Sequence, residues 1–108
     1  VGEGKTAPRR IARWLEGRLP LLLRRHGVEA AYLVGSWARG EADVLSDVDL
    51  VLVAPSRRPF VDRFHDYPDV LAAPTSVDLL VYTPEEFARE RRRNRFLRYV
   101  LRRARRLV

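Results

Sequence analysis

Two apolar runs, DVDLVLVAP at residues 47–55 and SVDLLVYT at 76–83, open on aspartates. Short apolar runs bounded by proline or polar residues read as buried strands, and a strand that seeks the interior carries ionised groups only at a cost. Side chains alternate along a strand, so Asp47 and Asp49 share a face with Val51 and Val53, roughly 7 Å apart at the backbone and able to converge at their tips. By the same alternation Asp78 shares a face with Leu80 and Tyr82. Neighbouring strands lie about 4.8 Å apart, so if these two strands pair in register, three carboxylates form one cluster. Converging carboxylates repel unless a cation stands between them. For an all-oxygen site that cation is Mg²⁺, and two such ions roughly 3.5–4 Å apart serve in-line phosphoryl or nucleotidyl displacement.

The rest of the chain supplies a scaffold. TAPRRIARWLEGRLPLLLRRHG begins with Thr6 as an N-cap and Pro8 in the first turn, and places Ile11, Trp14, Leu15, Leu19, Leu22 and Leu23 at helical spacing. Gly17 and Pro20 predict a kink or a break, and Gly27 a stop. AAYLVG (30–35) reads as a first buried strand, SWARGE as a short helix and ADVLS as a loop. A short helix is expected around Phe60, Val61 and Phe64. Pro84 and two glutamates then open a C-terminal helix with Phe87, Leu97, Val100, Leu101 and Ala104 on one side. The expected fold is α+β with α/β-like alternation, a small mixed β-sheet flanked by helices in the order α-β-α-β-(α)-β-α. At 108 residues one domain, 1–108, is expected.

Gly35 and Ser36, where the first strand meets the short helix, suit a phosphate. Glycine lets the anion approach the backbone, and the Ser36 hydroxyl and nearby N–H groups can donate to it.

With no cysteine, disulfides and thiolate chemistry are excluded, which fits a reducing cytoplasm. No stretch approaches the roughly 18 apolar residues of a membrane span, and VGEGKTAPRR lacks the apolar core of a secretory signal. GEGKT at 2–6 is a decoy for a phosphate loop, since the motif's first glycine and the preceding strand are missing. The net charge of +7 belongs to one segment: residues 1–83 carry 11 basic and 11 acidic side chains, whereas 84–108 carry 10 arginines against 3 glutamates.

GSWARGEADVLSDVDL resembles the signature of the minimal nucleotidyltransferase branch of the DNA polymerase beta superfamily, G-S-x10-D-x-D followed by a later acidic residue. Gly35 and Ser36, ten intervening residues, Asp47 and Asp49, then Asp78 match it in order. The core of the resemblance covers residues 30–82. It implies that Asp47 and Asp49 hold two Mg²⁺ ions, that Asp78 completes one metal site and helps to deprotonate an acceptor hydroxyl, and that Gly35 and Ser36 bind the β- and γ-phosphates. The implied reaction moves NMP from an NTP, with ATP favoured, to a hydroxyl and releases pyrophosphate. At this length the extra domains that hold nucleic acid or small acceptors in larger relatives are not expected. The minimal branch commonly pairs with a helical HEPN-domain protein, as an antitoxin that modifies the partner's tyrosine. A noncatalytic module that masks a partner or contacts RNA is the competing reading.

Several neighbours have two readings. Arg39 either steers the triphosphate or pairs with Glu41 or Asp43, and these stand equal. Trp37 is read as packing rather than base stacking, Ser46 as a loop cap, Asp43 as part of that loop, and His26 and His65 as surface residues. The arginine-rich helix is first of all a solvated helix whose apolar stripe covers the sheet. A protein-partner surface comes next, and nucleic acid after that, because Phe96 and Tyr99 alone offer stacking. No membrane role is expected.

Overall fold

The computed structural model describes residues 8–43 and 45–108; Thr6 and the GEGKT segment lie outside them. Helix α1 (Pro8–Glu16) and α2 (Arg18–Arg25) are separated at Gly17. The break falls at the glycine rather than at Pro20, because Pro20 occupies the first turn of α2, where an absent N–H leaves no helical bond unmade. Strand β1 (Ala30–Val34) runs directly into the short helix α3 (Gly35–Arg39), which ends at Gly40 in the left-handed conformation. Strand β2 (Val48–Val53) follows the loop. A 3₁₀ helix (Phe60–Asp66) and α4 (Pro68–Leu71) then lead to β3 (Val77–Tyr82).

The sheet order is β3-β2-β1-β4, with β2 antiparallel to β1 and parallel to β3. One face packs on α1, α2 and α4 through Ile11, Leu15, Leu19, Leu23, Leu33, Leu50, Leu52 and Val70. The other face, with Ala30, Val34, Val51, Val53 and Tyr82, is covered by Phe87 and Leu97 of the C-terminal helices. The arginine-rich segment therefore lays an apolar stripe on the sheet, as its spacing predicts.

Three features depart from expectation. The C-terminal segment is two helices, α5 (Pro84–Arg93) and α6 (Arg95–Leu101). Asn94 takes an extended conformation between them, and its side chain accepts from the Leu97 N–H at 3.0 Å, so it caps the second helix. After α6 the chain adds a fourth strand, β4 (Arg105–Arg106), antiparallel to β1. Its pairing is extended by the Leu107 N–H donating to the Ala31 carbonyl at 2.8 Å.

The 3₁₀ helix falls where a short helix is expected, and the third departure is what anchors it. Phe60, Val61 and Phe64, whose apolarity predicts the helix, are exposed, and among the described residues Arg63 is the single buried charged side chain, 6% exposed. The Arg63 guanidinium donates to the carbonyls of Arg58 (3.0 Å) and Val81 (2.9 Å) and to both Glu86 carboxylate oxygens (2.5 and 3.1 Å). Glu86 also closes a capping box with Thr83 at the start of α5. One guanidinium thus ties the crossover to the end of β3 and to α5.

Arg63 and its hydrogen bonds hold the Glu86 carboxyl at about 2, below its ordinary 4.5. A carboxylate depressed on folding stabilises above its unfolded value and loses that contribution as pH falls through the folded one. Arg63→Met should lower the unfolding free energy by about 2–4 kcal/mol at pH 7. In urea unfolding, the gap to the parent protein should narrow between pH 4.5 and pH 2.

Candidate active site

The parallel pairing of β2 with β3 aligns Asp49 with Asp78 as direct partners. Both belong to the face covered by α5 and α6, by the alternation that buries Val51 and Val53 on that side. Their carboxyl groups lie within hydrogen-bonding reach of each other, and the Asp49 carboxyl is pushed up to about 6. Burial is the largest cause, followed by the charge of Asp78 and the hydrogen bond to it, then the charge of Asp47; Arg39 opposes them.

The three aspartates are not equivalent. Asp49 is half-buried, Asp78 and Asp47 are exposed, and Asp47 precedes β2, so strand alternation does not fix its direction. Among the described residues no three His, Asp or Glu side chains are already gathered as metal ligands. The structure brings Asp49 and Asp78 together and leaves Asp47 acting on the pair through its charge. As a donor set the pair suits a divalent cation: the oxygens are hard, and burial and like charge both disfavour ionising Asp49 without a counter-ion.

Gly35 is part of the same construction. Its φ is +73°, and a Cβ built there would stand 2.5 Å from Asp49 Oδ2. Only glycine both turns β1 into α3 and admits the carboxylate against the backbone. Ser36 follows as the second residue of α3, half-buried.

Arg39 is engaged with Glu41, Nε to Oε1 at 2.8 Å. Asp43 and Ser46 hold the intervening loop: the Ser46 hydroxyl accepts from the Asp43 N–H at 3.0 Å, and Asp43 Oδ1 accepts from the Leu45 N–H at 2.9 Å. Trp37 packs against the core, its indole N–H donating to the Ser46 carbonyl at 3.3 Å. His26 and His65 are exposed; His26 Nε2 lies 2.7 Å from Asp69 Oδ1, on the far side of the sheet from the aspartates.

Two clefts flank the Gly35 turn. One, of about 240 Å³, is lined by Asp49, Asp78, Val34, Leu80, Phe96 and Val100. The other, of about 430 Å³, is lined by Arg39, Glu41, Tyr99, Arg102 and Arg103. Helix α6 forms the wall between them. A cavity of about 470 Å³ beside Trp14 and Asp69 lies against α1, α2 and α4 and contains neither aspartate of the pair. Sequence reasoning does not bring Phe96, Arg102 and Arg103 to the site. The signal available was the i, i+3 spacing of Phe96 and Tyr99 on a helix whose opposite side is apolar.

A nucleotidyltransferase-domain family model matches residues 18–100, most of the chain and all of this site except the last two arginines. The chain belongs to that family. Its fold is similar to the crystal structure of a candidate nucleotidyltransferase from Sulfolobus solfataricus, with a TM-score of 0.55 and 25% identity over 82% of this chain and 84% of that one. No curated protein sequence matches it. The mixed sheet flanked by helices is thus a nucleotidyltransferase fold. Among the described residues no helix is long and apolar enough to cross a membrane.

Gly40, like Gly35, has a φ of +73°, but a Cβ there would meet nothing within 4 Å. Gly40→Ala should therefore cost only the left-handed strain, about 1–2 kcal/mol, and Gly35→Ala clearly more. In an Asp49→Ala background the two costs should converge, as read from denaturant midpoints.

In metal-free protein, carbon-detected NMR should show Asp49 titrating near 6. Asp78→Asn should lower this midpoint without restoring the ordinary 3.8, because burial is the larger cause. Since the folded value is raised, the Asp49 contribution to stability is present at low pH and is lost as pH rises through about 6.

Proposed function

We propose that the protein transfers a nucleoside monophosphate from an NTP, with ATP favoured, to a hydroxyl group, using Mg²⁺ held at Asp49 and Asp78 with Asp47 turned in. The observation that carries this reading is the in-register Asp49/Asp78 pair, one half-buried and one exposed carboxylate held together beside the Gly35 turn. A structural role would not require two carboxylates to be held together at such electrostatic cost. Bound there, Mg²⁺ would offset charge on the reacting phosphate and on the leaving oxygen.

The chain's own groups have separate tasks. Asp49, fixed by β2 and by Gly35, sets the position of the reacting centre. Asp78 orients the acceptor hydroxyl and helps to take its proton as the acceptor oxygen bonds to the α-phosphorus. The bond to the β-phosphate oxygen breaks and pyrophosphate leaves. Gly35 and Ser36 serve the β- and γ-phosphates. The acceptor in this reading is a tyrosine hydroxyl on a HEPN-type helical partner, which gives the chain an antitoxin role. The open side of the aspartate cleft, where Asp78 and Phe96 are exposed, is where such a group would enter.

The test is incubation with [α-³²P]ATP, Mg²⁺ and whatever protein co-purifies with the chain. Label should pass to the partner, disappear without Mg²⁺, and fall by about 100-fold or more with Asp49→Asn or Asp47→Ala. A tight complex that acquires no label, and whose affinity ignores both substitutions, would mean a binding module instead.

A further inference from the structure

We propose that the open edge of β3 receives an extended segment of a partner protein as an added strand, and that this pairing presents a tyrosine of the segment to Asp78. Strand β3 lies at one edge of the sheet. The Val48 and Ala54 N–H groups donate to the carbonyls of Ser76 and Tyr82, so the even-numbered residues of this strand turn their backbone groups toward β2. Backbone groups alternate in direction along a strand, and Val77, Leu79 and Val81 therefore turn theirs outward. The outward carbonyl of Val81 is taken by Arg63. Among the described residues no hydrogen bond reaches the outward groups of Val77 and Leu79. The edge is thus closed at its C-terminal end and open on both sides of Asp78, with Val77 and Leu79 only half-buried. Unpaired backbone groups of this kind are a template for a further strand.

Position in the sheet gives the added strand its chemistry. Val34 pairs with Asp49 and Asp49 with Asp78, so the Gly35 turn, the two carboxylates and the open edge follow one another across the sheet in steps of about 4.8 Å. In-line displacement sets the attacking oxygen opposite the leaving one. With the phosphates at Gly35, the attacking side is the β3 edge. A residue beside Asp78 in the added strand shares its face. A tyrosine there is long enough to carry its hydroxyl over the carboxylates while its ring meets Leu80 and Phe96, which line the cleft. A second copy of this chain fits less well. Two-fold pairing of the open stretch would set Asp78 against Asp78, like charges directly opposite, between two bodies of net charge +7. The chemistry of the acceptor rests on the nucleotidyl-transfer reading, whereas the open edge does not.

The test is amide hydrogen exchange by NMR in excess EDTA, with a capped, lysine-flanked heptapeptide of valine and threonine around a central tyrosine as the probe. At about ten times its dissociation constant the peptide should slow exchange at Val77 and Leu79 about tenfold and leave the amides of β4, at the opposite edge, unchanged. A strand pairs through one of its edges, so N-methylation of alternate peptide residues in one phase should abolish binding and in the other should spare it. Val77→Pro removes an outward N–H at the first residue of β3, where proline is tolerated, and should weaken binding about tenfold or more. An amide spectrum otherwise like the parent's verifies its fold. The proposal is overturned if millimolar peptide protects neither amide, if both methylation phases act alike, or if folded Val77→Pro binds as the parent does. Protection that rises with protein concentration without peptide would mean that a second copy covers the edge, and overturns it too. With Mg²⁺ and labelled ATP in place of EDTA, label should reach the peptide and not its phenylalanine analogue. Edge protection without label would refute the transferase reading and leave the added strand standing.

Discussion

The site depends on one pairing, the parallel, in-register alignment of β2 with β3. A slip of one residue would move Asp78 to the opposite face, into the side that packs on α1 and α2, and replace it with a neighbouring apolar side chain. Parallel pairing requires a crossover, supplied by residues 54–76, and the crossover must be held to the sheet if the register is to hold. Arg63 does this by binding the Val81 carbonyl at the end of β3 and Glu86 in the next helix. The most buried charge among the described residues is therefore also a guard on the carboxylate pair, although it lies at the other end of the strand.

Much of this was legible because short apolar runs closed by glycine, proline or polar residues are a strong local signal, along which side chains alternate between the two faces. The run at 48–53, the apolar segment at 30–34 and the one at 77–82 are read as strands from pattern alone, and the side on which Asp49 and Asp78 stand follows from it. Arg63 was hidden because burial of an arginine depends on acceptors distant in sequence, here Val81 and Glu86. The helix break at Asn94 was hidden by a continuous apolar stripe, which a capped junction preserves: Phe87 and Leu97 still pack on the same face. Strand β4 has no apolar alternation at all. Arg105 and Arg106 are exposed, and the strand is recognisable only from its pairing with Tyr32 and Leu33.

Local geometry at Gly35 shows why a sequence motif and a structural requirement coincide. The positive φ alone would admit an asparagine at modest cost, and Gly40 shows the same angle with open space around it. At Gly35 the space belongs to the Asp49 carboxylate. The glycine and the aspartate are thus one unit, separated by 13 positions between residues 35 and 49 but in contact across the β1/β2 ladder, where Val34 pairs with Asp49.

The ten arginines of the C-terminal segment are not one uniform surface. Arg91 lies over Phe87 and Arg106 over Tyr32, Arg93 reaches Glu90, and Arg103 reaches Glu41. The first and third of these lie within α5, whereas Arg106 on Tyr32 and Arg103 at Glu41 tie the C-terminal segment to the rest of the chain. Arg39 relieves Asp49 only as the weakest of the named influences on it, so the arginine wall does not neutralise the carboxylate pair. A polyanion approaching the Gly35 turn is therefore attracted by one wall and repelled by the other. It can settle only with its charge spread along the arginine side, or with a cation placed between it and the aspartates. The division of the surface into two clefts by α6 thus imposes an orientation on any anionic ligand before a single specific contact is made.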